Sequence, residues 1–193
     1  MKIPSDAELQ AIVHRVVGRI MQQGVSSPPP GTTPSPEPQI AQSQTGSKAV
    51  AIGADHGGFN LKQSLGAYLK EKGYPVIDCG THSTESVDYP DFALAVATKV
   101  ADGSAWRGVI VDGAGIGSCM AANKVKGVRA AMCYDHATAS NSREHNNANV
   151  LTLGAGLIGP NLAKQILDTF LTTEFGGGRH ARRVDKIMMI EKS

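Results

Sequence analysis

At 193 residues the chain is long enough for one ordinary domain and an appendage. Its 19 Lys+Arg against 17 Asp+Glu give no basic excess for nucleic acid and no acidic excess for a solvating tail. The cysteines Cys79, Cys119 and Cys133 form neither a disulfide framework nor a zinc pattern, no apolar run reaches the ~18 residues of a membrane span, and the N-terminus lacks a secretion signal, which together predict a reduced cytoplasm and no membrane partner.

The predicted elements begin with an amphipathic helix over residues 1–24. Ser5 and Glu8 fit a capping box, and Leu9, Ile12, Val13, Val16, Val17, Ile20 and Met21 form one apolar stripe. Glu8, Gln10, Arg15, Arg19 and Gln22 take the other side, and Gly24 is a C-terminal stop. Residues 25–47 hold Pro28, Pro29, Pro30, Pro34, Pro36 and Pro38 among Ser, Thr, Gln and Gly, the composition of a disordered linker.

From residue 48 to 193 short apolar runs alternate with helical periods. Strands are predicted over 49–54, 74–78, 106–111, 128–133 and 150–153, and helices over 58–72, 90–102, 117–125, 135–144 and 158–172. The alternation predicts an α/β, doubly wound, five-stranded parallel sheet of Rossmann-like type flanked by helices. Ligands in such sheets sit at the carboxyl ends of the strands. The expected chemistry is therefore at Asp55 and His56, at residues 112–117, at Asp135 and in the loop after Arg143.

Two Gly-rich turns, A-D-H-G-G after the first strand and D-G-A-G-I-G-S after the third, expose backbone N–H groups suited to an anion or to tight packing alone. The second departs from a dinucleotide fingerprint in glycine spacing and in sitting on the third strand. Residues 143–149 form a polar run, Arg-Glu-His-Asn-Asn-Ala-Asn. Arg179 and Arg183 are four apart, so on a helix they share a face and suit one phosphate, or else a solvated surface.

Five ordered blocks carry a resemblance: A-D-H-G-G-F at Asp55, C-G-T-H-S-T-E-S-V-D-Y-P-D at 79–91, G-A-G-I-G-S-C-M-A-A-N-K at 113–124, S-R-E-H-N-N-A-N-V at 142–150 and G-G-R-H-A-R-R-V at 177–184. The segment 48–193 resembles the B-type ribose-5-phosphate isomerases and the related galactose-6-phosphate isomerase subunits. That resemblance implies a sugar-phosphate aldose–ketose isomerase that needs no metal or cofactor. It implies that His56, Arg179 and Arg183 hold the phosphate, and that Asp55 and His145 open the sugar ring. Asn146 would bind a hydroxyl, Tyr89 would contact the sugar, and the loop Gly113, Gly115, Ile116 and Gly117 would hold the enediolate oxyanion. It also implies a homodimer or dimer of dimers whose active sites are shared, with the 145 and 179–183 regions reaching in from the partner.

The departure falls on the base. Many family members carry Cys where Asp112 stands and Thr where Ala114 stands, and others place a Glu base where Ser118 stands. Asp112 is the best candidate base here, since a carboxylate in a confined site suits proton abstraction. Its structural alternative is a helix cap or a brace for the Gly loop; Asp55 and His56 likewise could cap the first helix. The expected reaction interconverts ribose 5-phosphate and ribulose 5-phosphate. The alternatives are another sugar phosphate such as a hexose 6-phosphate, or a sugar-phosphate-binding cargo protein without turnover. The N-terminal helix and linker resemble the encapsulation peptides of bacterial microcompartment cargo. This implies a shell-protein partner for residues 5–21 and a location in a microcompartment lumen, against a membrane-surface or oligomerisation helix.

Overall fold

The computed structural model describes residues 48–191. The expectations for residues 1–24 and 25–47 lie outside them. The described chain runs β1 (Val50–Ala54), α1 (Phe59–Glu71), β2 (Val76–Asp78), α2 (Tyr89–Ala101), β3 (Arg107–Asp112), α3 (Ile116–Ala122), β4 (Ala130–Met132), α4 (His136–Glu144), β5 (Val150–Gly154), α5 (Pro160–Thr172) and α6 (Arg179–Ile190). The doubly wound parallel sheet expected from the sequence is present, in the order β2-β1-β3-β5-β4.

Period-two alternation in the central strands feeds two cores. Val50, Ile52, Val109, Val111, Leu151 and Leu153 face α1, α4 and α5, where they meet Leu61, Leu65, Ala139, Ile166, Leu167 and Phe170. Ala51, Ile110 and Val150 face α2 and α3, where they meet Ala93, Val96, Ala97 and Ala122. The second face is lined with small residues because α2 lies close: a Cβ on Gly53 or Gly108 would fall 2.8 or 2.7 Å from a Val96 methyl. Each large side chain buried this way contributes about 1.5–3 kcal/mol.

The ends of elements follow local chemistry. Asp135 caps α4 through a capping box with Thr138, whose N–H donates to Asp135 Oδ1 at 2.7 Å. The two edge strands, β2 and β4, are the shortest, three residues each, against the five and six expected from the apolar runs. For β2, Pro75 has no N–H to give the ladder. Beneath β2, the buried Lys62 ammonium reaches both Asp78 oxygens at 2.7 and 2.9 Å and the Thr81 carbonyl at 2.8 Å. Burial raises the Asp78 carboxyl, but Lys62 and the Gly80 N–H outweigh it and hold the group below the usual carboxylate range. Among the described residues no helix is long and apolar enough to cross a membrane.

Candidate active site

The strand order reverses between β1 and β3, which opens the crevice where such sheets bind ligands. Asp55 follows β1 and Asp112 ends β3, so both stand at that crevice. The Asp55 N–H donates to the Val111 carbonyl at 3.2 Å, and Asp55 Oδ1 accepts the Gly58 N–H at 2.9 Å. One oxygen thus braces the turn into α1, and Oδ2 has no partner among the described residues. His56 is held by Nδ1, 3.2 Å from the Val87 carbonyl and 3.3 Å from its N–H, which leaves Nε2 without a partner there.

Asp112 is 4% exposed, and its carboxylate accepts N–H bonds from Ala114 at 2.9 Å, from Gly115, and from Ser118 at 3.0 Å. Oδ1 takes two of these and Oδ2 one. The loop-bracing geometry left open by the sequence is therefore present. It commits the Gly115 N–H, so that of the expected oxyanion loop only the N–H groups of Gly113, Ile116 and Gly117 carry no bond among the described residues. Gly115 turns the loop at φ +80. Gly154, which the sequence reading passed over, lets the loop lie on β5: a Cβ there would meet the Ala114 carbonyl oxygen at 2.6 Å. Tyr89 closes the other side, its ring atoms 2.6 and 2.7 Å and its hydroxyl 2.9 Å from where a Gly117 Cβ would stand.

The remaining expected residues gather elsewhere. His145 ends α4, and its ring stacks on His180 at 4.2 Å with planes 2° apart. His145 Nδ1 is 2.8 Å from Asn141 Nδ2, and Nε2 is 3.8 Å from Glu144 Oε1. Asn146 Nδ2 is 3.4 Å from both the carbonyl and the Oδ1 of Asn141. The Gly176 N–H donates to the Glu144 carbonyl at 2.9 Å, which ties the start of α6 to this cluster. Arg179 and Arg183 lie in the first turns of α6 and have no carboxylate partner among the described residues. His180, unassigned by the sequence reading although it sits inside the G-G-R-H-A-R-R block, is held below the usual imidazole range. Lost hydration is the first cause, followed by repulsion from His145, Arg179 and Arg183, with Glu144 opposing.

These two clusters stand at opposite ends of the sheet. Val150 pairs with Gly108 at the start of β3, whereas Gly154 pairs with Asp112 at its end. The loop after Arg143 leads into Val150, so it lies at the amino ends of the strands and not, as expected above, at their carboxyl ends. Four steps along β5 at about 3.3 Å each put roughly 13 Å between the two levels. A groove of about 640 Å³ runs along the β4 edge near the second cluster, lined by Ala130, Ala131, Asn146, Val128, Ile187 and Ile190. Asn146 is the one expected site residue that lines it.

Known proteins share this arrangement of sequence and fold. The family description Ribose/Galactose Isomerase matches residues 50–187. Ribose-5-phosphate isomerase B of Escherichia coli (strain K12) is 46% identical over 145 residues, covering 75% of this chain and 97% of that protein. D-erythrulose-4-phosphate isomerase of Pectobacterium atrosepticum is 46% identical over 140 residues, 72% of this chain and 92% of that one. The solved structure of Clostridium thermocellum ribose-5-phosphate isomerase B is 55% identical, with a TM-score of 0.74 over 75% of this chain and 97% of that chain. Relatives matched over nearly their whole length, and a family description spanning most of the chain, lead to one conclusion: the chain is an isomerase and belongs to the ribose/galactose isomerase family.

Proposed function

We propose that the protein interconverts ribose 5-phosphate and ribulose 5-phosphate through an enediolate, in sites completed between two copies of the chain. The observation that carries this reading is the separation of the two clusters. The carboxylates and Gly loop sit at one end of the sheet, and Arg179 and Arg183, which have no carboxylate partner among the described residues, sit beside His145 at the other. The candidate base Asp112 and the guanidinium pair Arg179 and Arg183 stand in different clusters, and a homodimer or dimer of dimers brings one of each together.

In this reading Arg179 and Arg183, with His56, grip the phosphate and position the sugar by contacts remote from the reacting carbons. Asp55 and His145 open the furanose ring. Asp112 removes the proton from carbon 2 and returns it to carbon 1. Oδ2 is the atom suited to this, because it accepts one N–H where Oδ1 accepts two. The N–H groups of Gly113, Ile116 and Gly117 face the developing oxyanion, while Tyr89 and Asn146 meet sugar hydroxyls. No metal or cofactor takes part. Asp112→Asn is expected to lower kcat on the order of 1,000-fold; near-native turnover would leave Asp112 as a brace only.

A four-carbon 4-phosphate is the second reading, favoured by the equal 46% identity to D-erythrulose-4-phosphate isomerase. Such a substrate has no free hydroxyl able to close a five-membered ring, so the ring-opening pair Asp55 and His145 supports the pentose. Hexose 6-phosphates, and a cargo protein without turnover, complete the alternatives. A coupled assay with ribose 5-phosphate, ribulose 5-phosphate, erythrose 4-phosphate and hexose 6-phosphates separates all four. Preference for the pentose pair supports the proposal, and no turnover on any sugar overturns it.

We further propose that residues 5–21 dock on a microcompartment shell protein and place the enzyme in its lumen, within the bacterial cytoplasm. The apolar stripe from Leu9 to Met21 and the Pro-rich segment that follows support this. A 1–24 peptide that neither binds shell proteins nor carries a passenger into shells would remove it.

A further inference from the structure

Asn141 and His145 are four residues apart at the end of α4, the spacing at which helical side chains meet. Asn141 Nδ2 stands 2.8 Å from His145 Nδ1. On its other side the Asn141 amide presents Oδ1 to the Asn146 Nδ2, 3.4 Å away. With its oxygen facing an N–H donor, the amide turns its NH₂ to the ring. Neutral His145 then accepts at Nδ1 and carries its proton on Nε2. The ring plane is fixed by the parallel His180 ring at 4.2 Å. Nδ1 is occupied, and Nε2–H is the face of the ring left for a ligand. Glu144 Oε1, the nearest charged oxygen, is 3.8 Å from Nε2, beyond a hydrogen bond.

Resting on the ring-opening role given to His145 above, we propose that Asn141 is a positioning residue that fixes the His145 tautomer with its proton on Nε2, so that His145 acts as a hydrogen-bond donor to the sugar ring oxygen and Asp55 alone carries the proton. The step balances without an ionised imidazole. Asp55 takes the proton of the anomeric hydroxyl, and the bond between carbon 1 and the ring oxygen breaks as the carbonyl forms. The ring oxygen, its growing charge met by Nε2–H, then receives the proton back from Asp55. A neutral imidazole donor suits this, since it stabilises developing charge without being consumed.

The test uses the full chain labelled with ¹⁵N-histidine, with His145 assigned through His145→Ala. At a pH about two units above the ordinary imidazole value near 6.5, the wild-type ring is expected to show a bare Nδ1 and a protonated Nε2. Asn141→Asp is expected to reverse this, because a carboxylate accepts from Nδ1–H.

The paired kinetic readout compares two rates at the same pH. One is conversion of ribose 5-phosphate. The other is deuterium wash-in at carbon 1 of ribulose 5-phosphate, which is open-chain because its O5 carries the phosphate. Wash-in reports the enediolate step alone and also shows that the site is folded. Asn141→Asp is expected to lower conversion on the order of 100-fold. Asn141→Ala is expected to lower it about 10-fold. Both should leave wash-in within about 3-fold of wild type, a difference too small to cost one tenfold step in barrier. A wild-type proton on Nδ1, equal losses in the Asp and Ala variants, or wash-in falling in step with conversion would each overturn the role of Asn141. If His145→Ala itself lowers wash-in as much as conversion, the ring-opening premise fails and the role falls with it. The ring-nitrogen shifts then separate that failure from a failure of the Asn141–His145 bond.

Discussion

At the carboxyl ends of β1 and β3 the chain holds its two carboxylates with its own backbone. Asp112 takes three backbone N–H bonds, Asp55 takes one, and Gly154 lets the loop close on β5. At the amino ends the reverse holds. Arg179 and Arg183 have no carboxylate partner among the described residues, and Ile187 and Met189 of the same helix are exposed. A pre-organised end serves reaction geometry, because the loop costs nothing to order when substrate arrives. An unsatisfied end serves recognition, because its charges and apolar side chains gain most from what covers them.

Variants should divide along that line. Removing both guanidiniums in Arg179→Ala/Arg183→Ala should cost about 3–4 kcal/mol of transition-state binding, a drop on the order of 100- to 1,000-fold in kcat/KM. Most of this should appear as raised KM, with stability changed by less than about 0.5 kcal/mol in urea unfolding. Gly154→Ala should do the opposite and lower kcat on the order of 100-fold with KM little changed, because the new methyl pushes on the Ala114 backbone and moves the loop. A Gly154→Ala enzyme with native kcat would show that the loop tolerates displacement.

Phe170→Ala acts on neither end. It empties a fully buried ring site under the sheet and should cost about 3 kcal/mol of stability, while kcat per folded molecule stays unchanged. Lys62→Met gives the smallest effect and a pH signature. Because the folded Asp78 carboxyl lies below its ordinary value, the pair contributes its full stability above the unfolded value, about 3.9. That contribution is lost as pH falls through the folded value. The wild-type advantage, about 2 kcal/mol at neutral pH, should therefore narrow below about pH 4. An advantage that persists in strong acid would place its origin in packing.

The sheet was legible because its strands carry continuous apolar runs and its helices carry the other period. Residues 49–54 and 150–153 read as strands from sequence, and Val50–Ala54 and Val150–Gly154 are strands. The loop residues at Asp112 were legible as a site because glycines there have a backbone purpose. Their hydrogen bonds were not, since nothing in the string D-G-A-G says that the aspartate folds back on the amides that follow it. The position of His145 was misjudged because proximity in sequence to a buried strand does not say which end of that strand is met. Counting the chain's direction through α4 would have placed it at the amino end. Asn141 was within reach of the i, i+4 rule applied to His145.

The most direct measurement is complementation between two inactive variants, Asp55→Asn and His145→Ala, denatured together and refolded. If sites form between copies, half of random dimers are mixed and each mixed dimer holds one intact site, so about a quarter of wild-type activity should return. Activity no higher than that of the two variants refolded separately would mean that Asp55 and His145 serve the same chain, and would contradict the shared site.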